Sequence, residues 1–146
     1  MAAMSDYLEN KLIDQIFRGQ AYSFPTTLYV GLLTATPSDT GGGTEVSGGS
    51  YARVGITASL ANWAGTQAAA STVASSGVTG TTSNNGAITF PAPTASWGSV
   101  TSFGIYDASS GGNLLFWGAL TTAKTVNNGD AAPAFSAAAL SIQIDN

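Results

Sequence analysis

Hydrophobic and polar residues change rhythm once along this chain, near residue 26. Before that point Leu8, Leu12, Ile13, Ile16 and Phe17 recur at helical spacing, while Glu9, Lys11, Asp14, Gln15 and Arg18 occupy the other faces. The spacing predicts an amphipathic helix over 6–18. Ser5 or Asp6 is placed to cap its first turn, with Glu9 three residues after Asp6 at capping-box spacing, and Gly19 stands where a left-handed C-terminal residue belongs. Beyond residue 26 the apolar positions fall into short β-rich runs bounded by Gly, Pro, Asn, Asp and Ser, the form of an all-β sandwich or barrel. Strands are predicted at about 27–34, 51–59, 87–90, 100–106, 114–120 and 139–144, with Pro25, Pro37, Pro91 and Pro93 punctuating them.

Alternation along these strands assigns faces. Phe103 and Ile105 share one face and are expected to point inward together, whereas the adjacent Phe116 and Trp117 must point oppositely, so one of them meets solvent or a partner. The stretch 107–112 is Asp-Ala-Ser-Ser-Gly-Gly, a length suited to a hairpin, which makes 100–120 an antiparallel pair at the core. Asn127, Asn128, Gly129 and Asp130 form a second turn signal. Two segments read as loops. One is 36–50, rich in Thr, Ser and Gly, and the other is 64–85, a run of 22 residues without a charged side chain. A stretch that long needs something to order it. It is either an arm lying on a neighbouring subunit or a mobile surface insertion. The whole predicts a single domain over 1–146, mainly β, an antiparallel β-sandwich of jelly-roll-like form with one N-terminal amphipathic α-helix.

Composition sharpens this picture through charge. Lys, Arg, Asp and Glu make up 8% of the 146 residues, against about 25% in an ordinary soluble domain. Five of the twelve formal charges lie in the first 18 residues, leaving a β-region whose polarity is hydroxyl and amide. Such a surface is poorly suited to a free monomer, which normally carries charges of both signs, and suits a protein packed in a repeated assembly. The chain has no His and no Cys, which removes imidazole bases, thiolate nucleophiles, Cys/His zinc sites and disulfides. Its four cations, Lys11, Arg18, Arg53 and Lys124, form no basic stripe, and the net charge is −4, so nucleic acid is not an expected partner. No apolar run reaches the roughly 18–20 residues of a membrane span, and 1–18 lacks the pattern of an export signal.

Individual motifs mostly resolve into structure. The glycine clusters are not followed by the Lys-Ser/Thr of a phosphate-binding loop and read as turns. Glu45 falls in a loop, and Asp107, Asp130 and Asp145 fall in turns or at the terminus, so no carboxylate pair is placed for acid–base work; the chain is expected not to be an enzyme and to take no metal or other cofactor. Asn127, Asn128 and Asp130 offer only one carboxylate to a calcium ion, and an Asx-type turn is the better reading. Trp63, Trp97 and Trp117 could line a sugar groove or sit as packed aromatics. The helix is suited to cap one end of the sandwich, to serve as an anchor or oligomerisation element, or to do both. Arg53 and Lys124, the cations beyond the helix, are suited to intersubunit pairing or to a salt bridge within the fold.

Several stretches carry a resemblance. Ser5-Asp-Tyr-Leu-Glu-Asn-Lys-Leu-Ile-Asp14, Thr27-Leu-Tyr-Val-Gly-Leu-Leu33, Ser50-Tyr-Ala-Arg53, Ala95-Ser-Trp-Gly98, Phe103-Gly-Ile-Tyr-Asp107, and Gly112-Asn-Leu-Leu-Phe116 with Gly118-Ala-Leu-Thr121 follow one another in order across most of the chain. As a set they resemble small structural proteins of tailed phages, usually labelled phage tail fibre proteins. The 64–85 segment departs from that pattern, being longer and richer in Ala and Thr. The resemblance implies a non-catalytic virion component assembled in the host cytoplasm, placed on the tail or, as a decoration or cement protein, on the capsid. Expected partners are further copies of the chain, trimers included, other virion proteins, and a host surface glycan if the protein is a carbohydrate-binding adhesin. Leu8, Leu12, Ile16, Arg53, Trp117 and Lys124 are the residues expected at oligomer or particle contacts.

Overall fold

The computed structural model of the protein describes residues 2–144. In chain order its elements are β1 (Ala2–Met4), α1 (Asp6–Phe17), β2 (Thr27–Ala35), β3 (Thr44–Glu45), β4 (Val54–Thr57), β5 (Thr81–Ser83), β6 (Ile88–Thr89), β7 (Gly98–Tyr106), β8 (Leu114–Val126), β9 (Ala134–Phe135) and β10 (Ser141–Gln143). The main sheet is antiparallel throughout and runs β1-β8-β7-β2-β3, with β4 pairing the other end of the same edge of β2. β5 with β10 and β6 with β9 make two small antiparallel ladders. The chain is thus mainly β with one helix near its N-terminus.

Alternation explains how the sheet is covered. Val30 and Leu32 of β2, and Phe103 and Ile105 of β7, point into one apolar cluster with Leu28, Phe116 and Leu120 packed against it. The second layer of the sandwich is supplied by the two small ladders and their flanks, through Ile88, Phe90, Leu140 and Ile142, with Phe135 beside them. Each fully buried aliphatic side chain of this kind stabilises the fold by about 1.5–3 kcal/mol relative to exposure. Leu33, Leu115 and Tyr106 are buried outside that cluster, as is Leu8, the one helix residue sequestered from solvent.

The helix starts where the sequence places it and ends one residue early. Ser5, rather than Asp6, is the N-cap: its hydroxyl accepts from the Leu8 N–H at 3.3 Å. The same hydroxyl donates to the Leu114 carbonyl, and the Ser5 N–H donates to the Leu115 carbonyl at 3.0 Å, so one residue both caps α1 and fixes it to β8. At the far end Gly19 turns the chain at φ +65°, and the Gln20 N–H bonds the Asp14 carbonyl.

β7 and β8 form the expected central pair, but β8 continues six residues beyond 120 to Val126. Val100 pairs with Lys124 and Ser102 with Ala119, so residues 120–123 of β8 face the single Thr101 in an enlarged bulge of four residues against one. The strand expected at 51–59 is confined to Val54–Thr57 and that at 139–144 to Ser141–Gln143. The loops are also more ordered than their composition suggests. The 36–50 segment contains β3, and 64–85 contains β5.

The remainder of 64–85 is held by its own chain. The Gln67 amide donates to Ser71 Oγ at 2.6 Å and to the Ala74 carbonyl at 3.3 Å, and its oxygen accepts from the Ser76 N–H at 3.2 Å. Thr66 Oγ1 accepts from the Gly77 N–H at 2.9 Å and donates to the Gly77 carbonyl at 3.3 Å. A Cβ on Gly77 would collide with the Thr66 carbonyl, so the loop closes only around glycine. Asn85 Nδ2 joins the base of the loop to the Leu60, Ala61 and Ser71 carbonyls.

Candidate functional site: a buried ion pair beside a polar cleft

In a chain so poor in charge, one of the two ion pairs among the described residues is largely enclosed by the fold. Glu45, on β3, and Arg53, just before β4, both belong to segments at the edge of β2, and their side chains meet there. Arg53 Nε donates to Glu45 Oε1 at 2.8 Å and Nη2 to Oε2 at 2.7 Å, the bidentate fork that suits a guanidinium to a carboxylate. The Arg53 side chain is 6% exposed and that of Glu45 27%. The Tyr51 hydroxyl completes the carboxylate's shell by donating to Oε1 at 2.8 Å, while accepting from the Leu32 N–H at 2.8 Å.

Two glycines make room for this cluster. A Cβ on Gly31 would lie 3.0 Å from Glu45 Oε1 and 3.1 Å from both the Tyr51 hydroxyl and the Tyr106 ring, and one on Gly104 would lie 2.8 Å from that ring. Tyr106 therefore lies flat on a glycine floor, and the Arg53 guanidinium covers it with its carbon 3.4 Å from the ring centroid. Burial alone would lower the guanidinium pKa, but the hydrogen bonds and charge of Glu45 more than offset it and the net shift is upward. Burial, reinforced by the nearby carboxylate, pushes the Tyr51 phenol well above its ordinary range and raises that of Tyr106.

The cluster also holds the β7–β8 hairpin loop. Arg53 Nη1 donates to the Ala108 and Gly111 carbonyls, each at 2.8 Å. Inside the loop the Asp107 carboxylate accepts from the Asn113 N–H at 2.7 Å and from Asn113 Nδ2 at 2.8 Å. Beside it opens a cleft of about 300 Å³ between the first turn of α1, the 39–42 loop and the base of the hairpin. Its lining includes Tyr7, Asp39, Tyr106 and Asn113.

The residues singled out in the sequence are scattered through the fold. Arg53 is committed to the ion pair within the chain. Leu8 is buried and Leu12 half-buried, whereas Ile13, Ile16 and Phe17 on the last turns of α1 are exposed, Phe17 at 80%. Lys124 is exposed on the bulged part of β8 beside a small apolar cavity of about 80 Å³ and makes no salt bridge among the described residues. Trp117 is half-buried on β8, with an indole N–H that is buried and has no partner among the described residues; its neighbour Phe116 turns into the main core. Trp97 is buried and donates to the Gly49 carbonyl at 2.9 Å, and Trp63 packs against the core, so the three tryptophans share no groove. Asp130 accepts from the Asn127 N–H at 2.8 Å in a turn closed by Gly129 at φ +79°, and Asp145 lies outside the described residues. Glu45, Tyr51 and the glycines beneath Tyr106 carry no periodic signal. Their one trace in the sequence is that a carboxylate and a guanidinium stand eight residues apart in an otherwise neutral region.

Compared with known proteins, residues 3–143 match the family described as podophage GP4 fiber I protein gp80. No curated protein matches the chain. The match spans nearly the whole sequence and covers the helix, the main sheet and both small ladders. The chain belongs to the family of the podophage GP4 fiber I protein gp80, and is a structural component of a phage particle.

Proposed function

We propose that this protein is a non-catalytic, self-associating subunit of a phage fibre, placed on the tail and not on the capsid shell. The family match carries the reading, because it covers 3–143 and is to a fibre protein. The surface is consistent with it. Ile13, Ile16 and Phe17 form an exposed apolar ridge at helical spacing on the last turns of α1. Contiguous apolar surface of this kind marks contact sites more often than free surface. The helix is thus the natural site for contact with another copy or with a neighbouring fibre protein. Lys124, exposed and outside any salt bridge among the described residues, is available to a carboxylate of a partner. The Glu45 carboxylate is bound by Arg53 and Tyr51 and serves architecture, not acid–base chemistry.

Sedimentation velocity of the full chain tests self-association. Wild type is expected to sediment as an oligomer across micromolar concentrations, and Ile16→Glu with Phe17→Glu to shift it toward monomer without changing its circular dichroism. A wild-type monomer at all concentrations would remove the self-association, leaving a fibre protein that contacts only other virion proteins.

A further inference from the structure

An asparagine followed by glycine is open to attack from within the chain, because without a side chain the glycine nitrogen can reach the carboxamide carbon. The sequence holds two such pairs, Asn85–Gly86 and Asn128–Gly129. The fold treats them differently.

Asn85 is half-buried at the base of the 64–85 loop. Its Nδ2 donates to the Leu60, Ala61 and Ser71 carbonyls at 3.2–3.3 Å, and its N–H donates to the Asn62 carbonyl at 2.8 Å. Its Oδ1 is buried and has no hydrogen-bond partner among the described residues. That oxygen gains negative charge as the carboxamide is attacked, and here it would do so away from water and from any donor. The carboxamide would also have to turn out of its three carbonyl contacts before the Gly86 nitrogen could approach.

Asn128 stands in the opposite situation. It is exposed in the turn between β8 and β9, and its carboxamide makes no hydrogen bond among the described residues. It is therefore free to rotate, and water can carry the charge that develops on its oxygen. The flanking residues hold the turn in place: Asp130 Oδ2 accepts from the Asn127 N–H at 2.8 Å, and the Asp130 N–H donates to the Asn127 carbonyl at 3.2 Å. One restraint acts on the nucleophile, since the Gly129 N–H donates to the Pro93 carbonyl at 2.9 Å. Gly129 is itself exposed, and opening that single bond costs about 1 kcal/mol.

We propose that Asn128 is a site of spontaneous deamidation and that the fold protects Asn85 from the same reaction. The Gly129 nitrogen bonds to Asn128 Cγ, the Cγ–Nδ2 bond breaks, and Nδ2 leaves as ammonia with the proton that the Gly129 nitrogen gives up. Water then opens the resulting succinimide. Cleavage of the new bond to Cγ leaves aspartate at 128, and cleavage at the main-chain carbonyl leaves isoaspartate. Each event consumes one water, releases one ammonia and involves no redox change. It makes the subunit one unit more negative, close to Asp130, in a part of the chain that is otherwise almost uncharged.

Peptide mapping of the full chain after incubation at mildly alkaline pH tests this. Trypsin cleavage after Arg53 and Lys124 places Asn85 in the peptide 54–124 and Asn128 in the peptide 125–146, and fragmentation by mass spectrometry locates the acid within each. In the folded protein the acid is expected to form about tenfold faster at 128 than at 85, the worth of the one or two extra hydrogen bonds that Asn85 must break. In urea, where neither residue is held, the two rates are expected to converge. No acid at 128 in the folded protein, a rate at 85 equal to or above that at 128, or a preference for 128 that survives unfolding would each overturn the proposal.

Discussion

At the scale of single residues, the Glu45–Arg53 pair has the most to lose. A buried pair gains little over an apolar replacement, but removing one member leaves the other charged and unpaired. Glu45→Ala is therefore expected to destabilise the protein by about 3 kcal/mol in denaturant unfolding, and to release the Arg53 contacts that hold the hairpin. A loss under about 1 kcal/mol, the range of exposed pairs, would show that the pair is solvated in solution. The phenols give a pH dependence with a definite sign. The pKa values of Tyr51 and Tyr106 are raised in the folded state, so folding favours their neutral forms. That contribution is complete below the unfolded tyrosine value of about 10 and is lost as pH rises through the folded values. Unfolding free energy is expected to fall above about pH 10, less steeply in Tyr106→Phe than in wild type; equal slopes would count against a buried Tyr106.

At the scale of elements, what could be read from the sequence depended on length. α1 and the β7–β8 pair are long enough for a period to show, and Phe103, Ile105 and Phe116 alternate as their strands require. β1, β3, β5 and β9 span two or three residues each, too few for any period, and exist because a neighbouring strand offers them an edge. The shortening of 51–59 to Val54–Thr57 has a local cause: Tyr51 and Arg53 turn toward Glu45, a contact between segments that no local pattern announces. The 64–85 segment was opaque for a related reason, since its order comes from Gln67, Thr66 and Asn85 bonding backbone groups and not from apolar burial. Gly77→Ala should therefore raise hydrogen exchange across 66–79 while leaving β2 and β7 protected; unchanged exchange there would mean that the Thr66–Gly77 clasp does not order the loop. Ser5→Ala should cost about 1 kcal/mol as a lost helix cap, and more to the extent that its bond to Leu114 is also lost.

At the scale of the whole molecule, the shortage of charge becomes a division between parts. Five of the twelve charges ride on the first 18 residues, and the paired Glu45 and Arg53 neutralise each other, so the β-body meets its surroundings mainly through hydroxyl, amide and small apolar groups. That surface and the exposed ridge of α1 fit a chain that works among neighbours in a particle, as membership of a phage fibre family requires. Quantitative mass spectrometry of purified particles, normalised to the major capsid protein, tests this placement most directly. A fibre subunit is expected at a few to a few dozen copies per particle. Hundreds of copies, as on a decorated shell, or absence from the mature particle would contradict it.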